Sequence, residues 1–90
     1  MDFLLTIEGK RVILNVQYSK IGCSYPRLFI EFSENEYVNY DVFLNAEFKM
    51  KKDDFNDWLV DAKPIPEESY EETLREFGIN YKKLKDALKG

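Results

Sequence analysis

The sequence predicts an α+β fold in one domain spanning residues 1–90: an antiparallel sheet over 1–52, then a helical segment over 53–90 packed on one face of that sheet. Three observations carry the expectation. FLLTIE and RVILNVQY flank Gly9-Lys10 as the arms of a hairpin; every even residue from Val38 to Met50 is apolar, a strand period; and beyond residue 52 the apolar spacing changes to that of helices.

Each element can be justified in turn. A two-residue loop with Gly at its first position suits a type II′ turn; this sets the opposite charges of Glu8 and Arg11 beside the turn and pairs Ile7 with Val12, Leu5 with Leu14 and Phe3 with Val16, all on one face. Residues 19–27, with Gly22 and Pro26, read as a loop, and LFIEF as a third strand. A three-residue turn at Glu34 to Glu36 then pairs Phe32 with Val38, Ile30 with Tyr40 and Leu28 with Val42. The run from 38 to 50 is expected as one long strand bent and bulged near Asn45, because Asn45-Ala46 is poor turn chemistry; the alternative is two strands joined by an odd-numbered loop. The sheet is therefore a four-stranded meander whose fourth strand is long and bent or split in two.

Three helices follow: Asp54 to Ala62 capped by Asp53, Glu67 to Phe77 after Pro64-Ile65-Pro66, and Tyr81 to Lys89 capped by Asn80, with Gly78 as the stop between the last two. Leu14, Val16, Ile30, Val42, Phe48, Trp58, Leu59, Leu74 and Phe77 are the expected members of one core between sheet and helices.

Composition excludes several kinds of function. With 44% hydrophobic and 16% aromatic residues the chain can bury a compact core. It has no His, which removes the commonest general base and zinc ligand, and a single Cys, which forbids an internal disulfide and suits a reducing compartment. No basic leader or membrane-length apolar run is present, so a cytoplasmic location is expected. There is no Gly-rich phosphate loop, Cys-x-x-Cys pair, calcium loop or nucleophile with a His base; neither catalysis nor a cofactor or metal is expected. Cys23, near Lys20 and Arg27 but without a base, reads as an ordinary thiol, and Lys49, Lys51 and Lys52 as guards at a strand end.

Charge is distributed unevenly. Residues 1–30 carry +2, 31–48 carry −5, 49–52 carry +3, 53–76 carry −7 and 77–90 carry +3. The acidic middle disfavours nucleic acid and anionic membranes and favours a basic protein as partner. Within it, Asp53, Asp57 and Asp61 recur at i, i+4, i+8 opposite the apolar stripe of Phe55, Trp58, Leu59 and Ala62. Glu68, Glu72 and Glu76 repeat the arrangement opposite Tyr70, Leu74 and Phe77. Acids so spaced repel by about 0.2–0.5 kcal/mol per pair, and Asp61 and Glu76 also oppose their helix dipoles, so the stripes are candidates for electrostatic docking as well as for an ordinary solvated face. A single stripe is too sparse to imitate DNA: its charges lie about 6 Å apart along the axis, against one per roughly 1.7 Å in the duplex.

The odd-numbered face of the sheet is a second candidate. It would present Leu4, Ile13, Phe29, Tyr37 and Phe43 among polar residues that include Glu31 and Asp41, more large apolar groups than a solvated face needs. Either the sheet curls or the 19–27 loop covers them, or they form a partner or homodimer surface. In size, acidity and missing chemistry the chain resembles, in general terms, small bacterial or phage toxin immunity proteins and protein inhibitors of nucleases. The expectation is an acidic module that neutralises a basic, for example nucleic-acid-binding, protein; the alternative is an assembly subunit that self-associates through the sheet.

Overall fold

The computed structural model describes residues 1–89. Strands β1 (Asp2–Ile7), β2 (Lys10–Tyr18), β3 (Ser24–Ser33), β4 (Glu36–Asp41) and β5 (Ala46–Met50) form an antiparallel meander, and helix α1 (Lys52–Asp61) leads to a two-residue strand β6 (Lys63–Pro64). A 3-10 turn (Glu67–Ser69), α2 (Tyr70–Glu76) and α3 (Tyr81–Leu88) complete the chain. The sheet has six strands in the order β5-β4-β3-β2-β1-β6, with β6 parallel to β1.

The α+β class and the strand-then-helix order are as expected, but the sheet is larger and differently layered. Helices cover both of its faces rather than one. On the face formed by the even-numbered residues of β2 to β4, the even face, Leu5, Ile7, Val12, Leu14, Val16, Leu28 and Ile30 pack against Tyr70, Leu74, Ile79 and Leu88 of the α2–α3 layer. On the odd-numbered face, Ile13, Phe29 and Tyr37 pack beneath Phe55 of α1, with Leu4, Met50, Trp58, Leu59 and Ala62 around them. The chain passes from one face to the other around the β1 edge, where β6 pairs with Phe3 and Leu4.

Both expected hairpin registers are displaced by two residues. Leu5 faces Val12 and Phe3 faces Leu14, because the turn is Glu8-Gly9, with φ of 52° and 73°, the pair of positive values a type I′ turn requires. The displacement lets Met1 join the ladder, exchanging backbone hydrogen bonds with Val16 at 2.8 and 3.1 Å. Likewise Ile30 faces Val38 and Leu28 faces Tyr40, with the irregularity taken up between Glu31 and Ser33. A slip of two keeps every side chain on its expected face, so the core face survives.

The run from 38 to 50 is two strands, not one bent strand, and the loop between them, residues 42–45, is even-numbered. Turn chemistry comes from Asp41, whose Oδ1 accepts from the Leu44 N–H at 2.9 Å, and from Asn45, which takes φ of 51° and bonds Tyr40 through its side chain. An even loop reverses the parity. Phe48 therefore lies opposite Asn39 and Met50 opposite Tyr37, on the α1 side, and Phe48 and Leu44 are exposed rather than buried.

The helix boundaries also shift. Helix α1 begins at Lys52 with Lys51 at its N-cap and no side-chain cap, which places Asp53 and Asp54 inside the first turn, where the helix dipole favours them. Glu67 and Glu68 belong to the 3-10 turn, so α2 starts at Tyr70. The stop at Gly78 (φ 78°) and the Asn80 cap, accepting from the Lys83 N–H at 3.0 Å, occur where expected. The Ile79 N–H closes α2 onto the Leu74 carbonyl at 2.9 Å, and Ile79 is itself buried, as a C-terminal hydrophobic contact requires.

Candidate functional site

Helix α1 is held by its apolar stripe. Phe55 is fully buried, its ring 5.1 Å from that of Tyr37 and 5.8 Å below the Arg11 guanidinium, and Trp58 packs its ring 5.3 Å from Phe29. Asp53, Asp57 and Asp61 are consequently all exposed on the outer side. Glu68, Glu72 and Glu76 are exposed too, but they belong to the layer on the opposite face of the sheet. The two acidic stripes therefore form separate surfaces.

Three residues of the candidate sheet surface are not surface residues. Ile13 retains 0%, Phe29 1% and Tyr37 5% of its exposure, because α1 covers the face on which they stand. The density of apolar groups at odd positions signals a second core there. Glu31 is engaged internally: Arg11 grips both carboxylate oxygens, at 2.8 and 2.7 Å, and the Tyr37 hydroxyl donates to the second at 3.1 Å. The Arg11 hydrogen bonds, aided by that of Tyr37, hold the Glu31 carboxyl below its usual range despite partial desolvation. Burial, and then the adjacent carboxylate, push the Tyr37 phenol up. Asp41 serves the β4–β5 turn.

Part of the odd face remains open beyond the helix. Phe43 is 75% and Phe48 50% exposed, and Tyr25 meets Phe43 edge to face with centroids 6.2 Å apart. Beneath this aromatic group runs a polar chain. Asn15, almost wholly buried, donates to Asp2 at 2.5 Å and accepts both Nε and a terminal nitrogen of Arg27 at 3.2 and 3.0 Å, while the Arg27 guanidinium lies 5.3 Å over the Phe29 ring.

Between this region and α1 lies a pocket of about 220 Å³, bounded by Arg27, Phe29, Asn39, Lys49, Met50, Asp54, Asp57 and Trp58. Asn39 Oδ1 is buried there without a hydrogen-bond donor. Sequence reasoning missed Arg27, Asn39 and Asp54, since their convergence depends on the crossing of α1 and on the β4–β5 turn. On the other face, a more apolar groove of about 420 Å³ runs between α3 and β3–β4, with Leu28, Tyr40, Val42 and Leu84 among its walls and Glu47 and Lys83 also lining it.

Among the described residues no group of three His, Cys, Asp or Glu side chains is placed to hold a metal ion, and no helix is long and apolar enough to cross a membrane. Cys23 is exposed in the β2–β3 connection. Comparisons with protein-family models, curated proteins and solved structures find no match.

Proposed function

We propose that the chain is an acidic protein-binding module that docks a basic partner on the α1 side of its sheet, in the manner of an inhibitor or immunity protein. The observation that carries this reading is the presence of two surface types on one side of the sheet: the exposed acids of α1, of which Asp57 lines the pocket beside Trp58, and the exposed aromatics Tyr25, Phe43 and Phe48, the last lying opposite the pocket residue Asn39. Acids steer a basic partner at long range, and aromatic groups supply the desolvated contact that holds it. Glu68, Glu72 and Glu76, on the other side, contribute to solubility and general attraction rather than to the contact.

The test is an association experiment with the partner recovered from the native host, at low and at physiological salt. The parent should associate faster at low salt, and Asp57→Lys should slow association and weaken affinity most under that condition. Equal binding of parent and variant at low salt would refute the reading. The exposed Phe43 and Phe48 favour one other reading, self-association through the remaining open sheet. Sedimentation would then show a dimer that Phe43→Asp dissolves without unfolding; a monomer at high concentration removes it.

A further inference from the structure

We infer that the outer edge of β5 is a docking site for the β5 of a second copy of this chain, the two sheets joining edge to edge about a twofold axis at Phe48. The two edges of the sheet are finished differently. Strand β6 covers β1 and brings Pro64 into the ladder, whereas β5, at the other end of the strand order, pairs with β4 alone among the described residues. Glu47, Phe48 and Lys49 are all exposed along that edge.

Ladder geometry fixes which backbone groups β5 offers. The Val42 N–H donates to the Pro26 carbonyl at 3.2 Å, and Arg27 faces Asp41 in the next position. Pro26–Val42, and at steps of two Leu28–Tyr40 and Ile30–Val38, are therefore the hydrogen-bonded pairs of β3 and β4. Tyr37, Asn39 and Asp41 turn their backbone groups the other way, toward Met50, Phe48 and Ala46 of β5. Glu47 and Lys49 are left with N–H and C=O pointing away from the sheet.

An antiparallel second β5 engages all of these groups in one register. Glu47 then faces Lys49 of the second copy, Lys49 faces its Glu47, and Phe48 meets Phe48 at the axis in a non-hydrogen-bonded pair, where side chains approach most closely. Charge selects this register. Moving the strands by two residues sets Glu47 against Glu47 in one direction and Lys49 against Lys49 in the other. Lysine on an edge strand ordinarily deters pairing, and Lys49 still does so against a neutral strand; against a second β5 it meets an acid. Phe48, 50% exposed, adds an apolar contact on the α1 side.

This pairing requires no basic partner and uses backbone groups rather than the open sheet face, so it can be tested on the purified chain alone. Sedimentation equilibrium should show a dimer. Glu47→Lys and Lys49→Glu should each weaken it about tenfold or more, because both cross-strand pairs become repulsive. An equimolar mixture of the two variants should pair as well as the parent, since every pair across the axis is again of opposite charge. Lys49→Pro removes an N–H that β4 does not use, so circular dichroism should show a folded domain that has lost the dimer. The charge variants, being exchanges at exposed positions, decide the matter even where Lys49→Pro does not fold. A monomer at every concentration, a mixture that fails to pair, or a dimer that survives Lys49→Pro overturns the inference, the last outcome pointing to association through the sheet faces. None of these outcomes bears on the docking of a basic partner at α1.

Discussion

The two faces of the sheet are built from the same alternating strands but differ in what covers them. The buried strand residues of the even face are all aliphatic, and they join Tyr70, Leu74, Ile79 and Leu88 of the helical layer in one cluster. Only one helix roofs the odd face, whose buried cluster is Ile13 with three aromatic residues, and its far half is left to Asp2, Asn15, Arg27 and the exposed aromatics. Burial of apolar area is the main source of stability, so the even face, with the larger buried cluster, is expected to supply more of it, while the odd face leaves polar and aromatic groups exposed.

Truncating the anchors of the two layers tests that contrast most strongly. Phe55→Ala should cost about 3–5 kcal/mol and Leu74→Ala about 2–5 kcal/mol in denaturant unfolding. Their consequences should differ: hydrogen exchange in Phe55→Ala should rise first in α1, with the even-face strands still protected, whereas Leu74→Ala should loosen the whole domain. Equal loss of protection everywhere in both variants would show that the faces do not act separately.

A smaller effect concerns the ion pair at the α1 end of the odd face. Arg11 remains partly exposed, so Glu31→Gln should destabilise by no more than about 1 kcal/mol. Because the folded-state pKa of Glu31 is depressed, its contribution is present above the unfolded value of about 4.3 and is lost as pH falls through the lower folded value. The stability difference between parent and Glu31→Gln should therefore shrink in acid below pH 4. A difference that stays constant from pH 7 to pH 3 would contradict the assignment. Of comparable or smaller size is the gain from Glu8→Asn, about 0.5–1 kcal/mol, since Asn tolerates the positive φ that Glu8 adopts. Smallest of all is the effect of Asp57→Lys on stability. Relieving two repulsive spacings on α1 should leave stability unchanged or a few tenths of a kcal/mol higher, so any large loss of partner binding would belong to the interface rather than to the fold.

The alternation of apolar and polar residues disclosed the faces of β1 to β4 but not their registers, because a slip of two residues leaves the alternation intact, as at Leu5–Val12 and Ile30–Val38. The 42–45 loop was hidden for a related reason. Its even length moves Phe48 and Met50 to the other face without interrupting the run of even apolar residues, and since both faces need apolar groups, the run looked continuous. Which side of the sheet each helix takes was not legible, since an amphipathic stripe states that a helix is covered and not by what. The exposed Asp57 was readable from helical spacing, whereas the pocket it joins required Asn39 and Arg27 from strands whose order is a tertiary property.

The short strand β6 has a consequence for how the molecule is made. Strands β1 to β5 each pair with a neighbour in the chain, so that part of the sheet can form as it leaves the ribosome. The outer edge of β1 cannot. Its completion needs Lys63 and Pro64 alongside Phe3 and Leu4, the Ile65 N–H on the Leu4 carbonyl at 3.3 Å, and the Tyr70 hydroxyl accepting from the Thr6 N–H at 3.0 Å. A nascent chain stalled before residue 63 thus presents an apolar strand with an open ladder, the form most prone to pair with another copy, and release of the last third of the chain closes it with a proline that can donate no further ladder hydrogen bond.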